Sequence, residues 1–209
     1  MERHRIAAVI LAAGTSNRLG RKAKQLLPLG ERRILQHVID LTIQQEFDQI
    51  LVVIGYQAKR VQKMISLQGA RQANWLVNDQ YRDGQSKSFL MALAHINPMI
   101  QSVMFFLGDQ PFIKHQTIEQ IKASGLKRQL KEEKPFVVRP SYNGKVGHPI
   151  YWGNHHCIDF ESVTGDEGGR SLFKFIKVEQ IEVEDFGVGF DIDTPKDYQE
   201  ALAHLERVQ

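Results

Sequence analysis

The chain opens, after five residues, with Ile6-Ala7-Ala8-Val9-Ile10-Leu11, which runs on into Ala12-Ala13-Gly14-Thr15-Ser16-Asn17-Arg18-Leu19-Gly20. An unbroken apolar run over 6–11, with no polar alternation, describes a strand covered on both faces, as in a parallel sheet. Arg3 and Arg5 ahead of it give a superficial likeness to a secretory leader. The run is short, however, and leads into glycines and cations rather than a cleavage site, so a buried strand accounts for it better. After the strand, small residues let the backbone approach a ligand closely, and exposed turn amides favour anions. Arg18, Arg21, Lys22 and Lys24 add full positive charge. Triphosphate binding fits this loop; the alternative is a tight turn with solvated cations. It is neither a Walker loop nor a Gly-x-Gly-x-x-Gly fingerprint.

Outward from this stretch the chain alternates strand and helix. Helical spacing predicts helices over 34–45, 59–67, 86–95, 117–123, 171–176 and 198–208. Short apolar runs predict strands over 50–54, 75–77, 103–107, 136–138 and 178–183. The charged stretch 127–134 reads as a solvated loop, and 141–147 and 165–169 as turns. This rhythm predicts an α/β fold: a Rossmann-like, doubly wound, mostly parallel sheet, in one domain over 1–209. Ligands in such sheets sit at the carboxyl ends of strands, which selects the loops after Leu11 and Leu107.

Composition narrows the class. With 42% hydrophobic and 24% charged residues, the 209-residue chain is neither disordered, collagenous nor a disulfide scaffold. A net charge of +3 is too small to imply by itself a nucleic-acid or membrane surface. No apolar stretch approaches the roughly 18 residues of a spanning helix. The single cysteine, Cys157, excludes an internal disulfide and suits a reducing, cytoplasmic location. Its neighbours form no known nucleophile signature.

Several segments carry chemistry. Leu107-Gly108-Asp109-Gln110-Pro111 puts a carboxylate at the end of a buried strand, where it can hold Mg²⁺ or cap a helix. Phe190-Asp191-Ile192-Asp193-Thr194-Pro195 offers a second carboxylate. Strand alternation puts Asp191 and Asp193 on one face, although Asp191 can be structural and Asp193 or Thr194 can cap the last helix. Asp83-Gly84-Gln85-Ser86-Lys87-Ser88 opens a helix and can receive an anion or merely cap. His148, in Gly147-His148-Pro149, has the chemistry of a structural hydrogen-bonder or a ligand contact. Arg170, after Gly165-Asp166-Glu167-Gly168-Gly169, is a ligand contact or a solvated side chain.

Leu-Ala-Ala-Gly-x-Ser-x-Arg-x-Gly, followed by Lys24 and Leu26-Leu27-Pro28-Leu29, resembles the opening motif of the MobA-like nucleotidyltransferases. These move a nucleoside monophosphate from an NTP to a phosphate or phosphosugar. The ordered set Gly84-Gln85-Ser86, Leu107–Pro111, Gly147–Pro149, Gly165–Arg170 and Asp191–Pro195 is similar to the molybdenum cofactor cytidylyltransferase branch, associated with maturation of xanthine dehydrogenase-type enzymes. The resemblance implies an Mg²⁺-dependent transfer of CMP from CTP to the terminal phosphate of molybdopterin. It implies nucleotide contacts from Leu11, Ala12, Ala13, Gly14, Ser16, Arg18, Lys24, Gly84, Gln85, Ser86, Gly108 and Asp109. Arg18, Lys24 and Asp109 would be catalytic, and Asp109 and Asp193 would hold the metal. Gln110, Pro111, His148, Asp166 and Arg170 would meet the acceptor. The family commonly has two residues between Gly and Lys, and here three separate Gly20 from Lys24, so Lys22 stays a second candidate. Ala12-Ala13-Gly14 points to CTP, since the branch's GTP users have Ala-Gly-Gly. A recipient molybdoenzyme is an expected partner; nucleic acid and membrane are not. The alternatives are a non-catalytic cofactor carrier, or a methylerythritol-phosphate or sugar-phosphate nucleotidyltransferase.

Overall fold

β-Branched and other apolar residues dominate the central strands, and the strands stack in parallel because helical crossovers return the chain to the same edge. The computed structural model describes residues 4–20, 23–69, 71–158, 160, 163, 165 and 169–208. In chain order the strands are β1 (Ile6–Ala12), β2 (Pro28–Leu29), β3 (Arg32–Arg33), β4 (Gln49–Ile54), β5 (Ala73–Val77), β6 (Ser102–Leu107), β7 (Phe136–Tyr142), β8 (Lys145–Val146), β9 (Ile150–Gly153) and β10 (Lys177–Glu182). The α-helices are α1 (Ile34–Ile43), α2 (Ala58–Met64), α3 (Gln85–Ala94), α4 (His115–Gln129) and α5 (Pro195–Val208).

The main sheet runs β10-β7-β9-β6-β1-β4-β5, with β8 beside β7, and β2 and β3 form a separate hairpin. β1 is flanked in parallel by β4 and β6, with Val9 level with Leu51 and Phe105. β9 is antiparallel to both β6 and β7. The expected mostly parallel α/β sheet is therefore present, with one reversed strand inside it. Strand alternation divides the core into two layers. Ala8, Ile10, Met104 and Val138 face α1 and α4, while Val9, Phe105, Val137 and Trp152 face Phe89 of α3 and Leu172.

Several expected boundaries move. α4 extends to Gln129, so the first residues of the charged 127–134 stretch are helical. Strand β7 continues through Arg139 to Tyr142, well past 138. α2 stops at Met64, and the 171–176 helix is a 3-10 turn over Arg170–Lys174. β9 was not expected at all. No described helix is long and apolar enough to cross a membrane.

Candidate active site

The first loop is tied to the strand it leaves. Ser16 takes a left-handed backbone (φ 57°), and a 3-10 turn over Asn17–Leu19 ends at Gly20 with φ 69°. The chain returns in a second 3-10 turn, Lys24–Leu26. There the Lys24 amide donates to Ser16 Oγ at 3.0 Å. Gln25 is buried, and its Nε2 donates to the carbonyls of Ala12 at 2.6 Å and Gly14 at 3.4 Å. These bonds hold Lys24 over the end of β1. Lys22, the second candidate, and Arg21 lie outside the described residues.

The second loop is positioned by a close approach of two strands. The Gly108 amide donates to Leu11 O at 2.9 Å. A Cβ on Gly108 would lie 2.7 Å from Ala12 Cβ and 3.1 Å from Leu35 Cδ1, so a side chain there would force β6 away from β1. Asp109 follows at the strand end, and its carbonyl accepts from the Ile192 amide at 3.1 Å. That bond brings in the third segment. Residues 190–194 are irregular rather than the expected strand, yet Asp191 and Asp193 still face one cavity. Thr194 Oγ1 accepts from the Asp197 amide at 3.2 Å, while the Asp197 carboxylate accepts from the Thr194 amide at 2.7 Å and the Asp193 amide at 3.1 Å. This reciprocal cap starts α5. Thr194 is thus the capping residue, and the Asp193 carboxylate is left to the site.

Lys24 Nζ donates to Asp109 Oδ2 and, at 2.7 Å, to Asp193 Oδ1. Arg18 Nη1 stands 3.8 Å from Asp193 Oδ2. Burial by itself would lower the Lys24 pKa; Asp109 and Asp193 outweigh it and hold the ammonium above its ordinary value. Burial, and then the Asp109 charge, push the Asp191 carboxyl up to about 6, against a 2.8 Å hydrogen bond donated by Gln110 Nε2. Asp109 Oδ1 is buried without any partner. An orphaned carboxylate oxygen costs desolvation energy unless a ligand satisfies it. No group of three or more His, Cys, Asp or Glu side chains among the described residues can hold a metal by itself. The two carboxylates do fit Mg²⁺, which takes one or two protein carboxylates and completes its shell with phosphate and water.

A cavity of about 1020 Å³ opens over these groups. That is ample for a nucleotide, since ligand pockets run from about 300 to 1,000 Å³. Leu11, Ala12, Ala13, Gly14, Ser16, Arg18, Lys24, Gly84, Gln85, Gly108, Asp109 and Asp193 all line it. Ser86 does not. It is buried with its amide on Gly165 O at 3.0 Å, and Ser88 lines the wall in its place. Gln25, Tyr56, Tyr81 and Arg82 also line the cavity and were not anticipated. The rule about strand ends points to Tyr56, two residues past β4, and Gln25 adjoins Lys24.

The residues expected to meet the acceptor stand differently. Gln110 is buried and spends its amide on Val188 O at 3.2 Å and on Asp191. It supports the carboxylates rather than lining the cavity, and Pro111 is buried beside it. His148 is buried, with its amide donating to Val188 O at 2.9 Å. Burial, then the Arg170 and Arg139 charges, push its imidazole down to about 3, so the ring is neutral. Arg170 is exposed, and Asp166 lies outside the described residues.

A glycine-turn loop with cations, and carboxylates gathered at the carboxyl end of a mostly parallel sheet, mark the place where α/β proteins take their ligands. Comparison with known families is more specific. Residues 8–183 match the MobA-like NTP transferase domain, and the chain belongs to that family of nucleotidyltransferases. It is 27% identical over 201 residues to nicotine blue oxidoreductase of Paenarthrobacter nicotinovorans, covering 90% of this chain and 92% of that one. The crystal structure of a homologue of Mycobacterium tuberculosis Rv0371c, from Mycobacterium sp. strain JC1, superposes with a TM-score of 0.82 at 30% identity, covering 99% of this chain and 100% of that one. Rv0371c of M. tuberculosis H37Rv in complex with manganese superposes with a TM-score of 0.76 at 27% identity, covering 95% and 98%.

Proposed function

We propose that the chain is a cytidylyltransferase that moves CMP from CTP to the terminal phosphate of molybdopterin, in molybdenum cofactor maturation. The observation that carries this reading is the meeting of Lys24, Asp109 and Asp193 at one end of the cavity, with one Asp109 oxygen unsatisfied. A pure cofactor carrier has no use for a second carboxylate there. The ordered motifs from Ala12-Ala13-Gly14 to Asp193-Thr194-Pro195 support CTP and the molybdopterin branch, and a xanthine dehydrogenase-type enzyme as recipient.

In the reaction, a phosphate oxygen of the acceptor bonds to the α-phosphorus of CTP. The bond from that phosphorus to the bridging oxygen breaks, and its electrons leave with pyrophosphate. A phosphate monoester is already anionic near neutral pH, so no strong base is required, and catalysis is positioning and charge neutralisation. The loop amides over 12–16 hold the triphosphate. Arg18 and Lys24 neutralise the charge that develops on the departing pyrophosphate. Lys24 must then leave its carboxylates, at least in part, to reach the phosphates. Asp109 and Asp193 would hold Mg²⁺, which when bound supplies charge neutralisation between the reacting phosphates. The manganese complex of the mycobacterial relative supports a divalent ion in this reading.

The test is pyrophosphate release with Mg²⁺, molybdenum-loaded molybdopterin and CTP, GTP or ATP in parallel. Release with CTP alone is expected. No release with any nucleotide, from folded protein that binds the cofactor, moves the weight to a carrier. The name of the P. nicotinovorans relative supplies a second reading, an oxidoreductase acting on nicotine blue. A change in the absorbance of nicotine blue on incubation with the protein and a redox co-substrate separates it from the first.

A further inference from the structure

The main sheet ends on two unlike edges, β10 on one side and β5 on the other. An unpaired edge strand offers a row of open amides and carbonyls, and proteins blunt such edges with charge, proline or a bulge. β10 follows that rule. Its Lys177 meets Glu132 at 3.1 Å, its Glu179 meets Arg128 at 3.0 Å, and Glu182 adds another charge to the strand. β5 does not follow it. Ala73-Asn74-Trp75-Leu76-Val77 has neither charge nor proline, and Asn74 and Val77 are exposed. Among the described residues no strand pairs with its outer side.

The hydrogen bonds to β4 show which backbone groups face out. The Ile50 amide donates to Gln72 O at 2.9 Å and the Asn78 amide to Ile54 O at 2.8 Å, with Val52 level with Trp75. In a parallel ladder alternate residues turn to the same neighbour, so Gln72, Asn74, Leu76 and Asn78 turn to β4. Ala73, Trp75 and Val77 turn outward, and they are symmetric about Trp75. A second β5 laid antiparallel about a two-fold axis at Trp75 uses all of them. Trp75 then opposes Trp75 of the partner subunit, and Ala73 opposes Val77 of the partner subunit, for about six backbone hydrogen bonds. The same register carries Arg71 toward Asp79 of the partner subunit, at both ends of the pair. Arg71 and Asp79 are exposed. The ends are thus complementary in charge and the middle is mainly apolar. No other two-fold register uses every outward residue.

We propose that the outer edge of β5 is the interface of a two-fold dimer of this chain, in which two sheets join through antiparallel pairing centred on Trp75. A closed two-fold contact covers the open edge of both copies at once. Each face of the sheet continues across the axis. The half-buried Trp75 rings, which pack in the layer of Val61 from α2, therefore lie side by side as a cross-strand aromatic pair. The partner's strands run in the opposite sense, so the two nucleotide cavities open at opposite ends of the joined sheet. The inference stands on the edge and its register and is independent of the reaction in the cavity.

Sedimentation of the full chain from about 100 µM down to about 1 µM is the test, and a dimer that dissociates on dilution is expected. Val77→Pro removes an outward amide that β4 does not use, and is expected to leave a folded monomer. Asp79→Arg puts like charges at both ends and should weaken the dimer about tenfold, the scale of two exposed ion pairs lost and reversed. Adding Arg71→Asp reverses both partners and should restore it. If circular dichroism shows that Val77→Pro does not fold, the charge reversal and its rescue, made at exposed positions, decide instead. A monomer at every concentration overturns the interface, as does a dimer that a folded Val77→Pro variant leaves intact. A dimer whose affinity the charge reversal leaves unchanged overturns the register.

Discussion

His148 makes the electrostatics of its surroundings measurable without any ligand. Its imidazole is buried beside two arginines and titrates near 3, against 6.5 in an unfolded chain. As pH falls through 6.5 the unfolded chain takes up a proton and the folded protein does not. Folding stability is therefore lost progressively below pH 6.5, and the loss levels off below the folded value. Between pH 7.5 and pH 5 this one group removes about 2 kcal/mol of stability. With a urea dependence of about 2 kcal/mol per molar, the midpoint moves down by about 1 M more than it otherwise would. His148→Gln has no charge to gain, so its midpoint should fall less by that amount over the same interval. Burial also lowers the pKa of His4 and His155, but both are present in either protein and cancel in the comparison. The assay is urea unfolding followed by circular dichroism at the two pH values. Parallel pH profiles for the two proteins would refute the reasoning, since they would mean that His148 is charged or solvated in the fold.

Three further outcomes are expected at the nucleotide end. Asp109→Asn should lower pyrophosphate release by roughly 10² or more while CTP affinity changes far less, because charge is lost where the transition state needs it; unchanged turnover removes Asp109 from the chemistry. Gly108→Ala should cost about 1–3 kcal/mol in calorimetry, because its Cβ meets Ala12 Cβ at 2.7 Å. A variant of wild-type stability would show that β1 and β6 can part cheaply. Ala13→Gly should raise the rate with GTP relative to CTP, by opening the wall of the base pocket. Steady-state rates with both nucleotides decide it, and an unchanged ratio counts against a selective role for that methyl group.

Much of the nucleotide end was legible in the sequence because local rules agree there. The buried strand 6–11, the glycine turn and the cations of its loop all point the same way, and the structure puts Gly14, Arg18 and Lys24 on one cavity with Asp109. The placement of Lys24 rests on the Ser16 and Gln25 hydrogen bonds, which no spacing rule encodes, while Lys22 lies outside the described residues. Asp191 and Asp193 reached the cavity for a reason other than the strand alternation expected of them. A backbone bond from Ile192 to Asp109 and the Thr194–Asp197 cap set their direction. Strand β9 was hidden because 150–153 is too short to show a period, and its pairing with β6 and β7 is long-range. Pairing between strands far apart in the chain is a tertiary property, so this half of the sheet is written in its topology rather than in any motif.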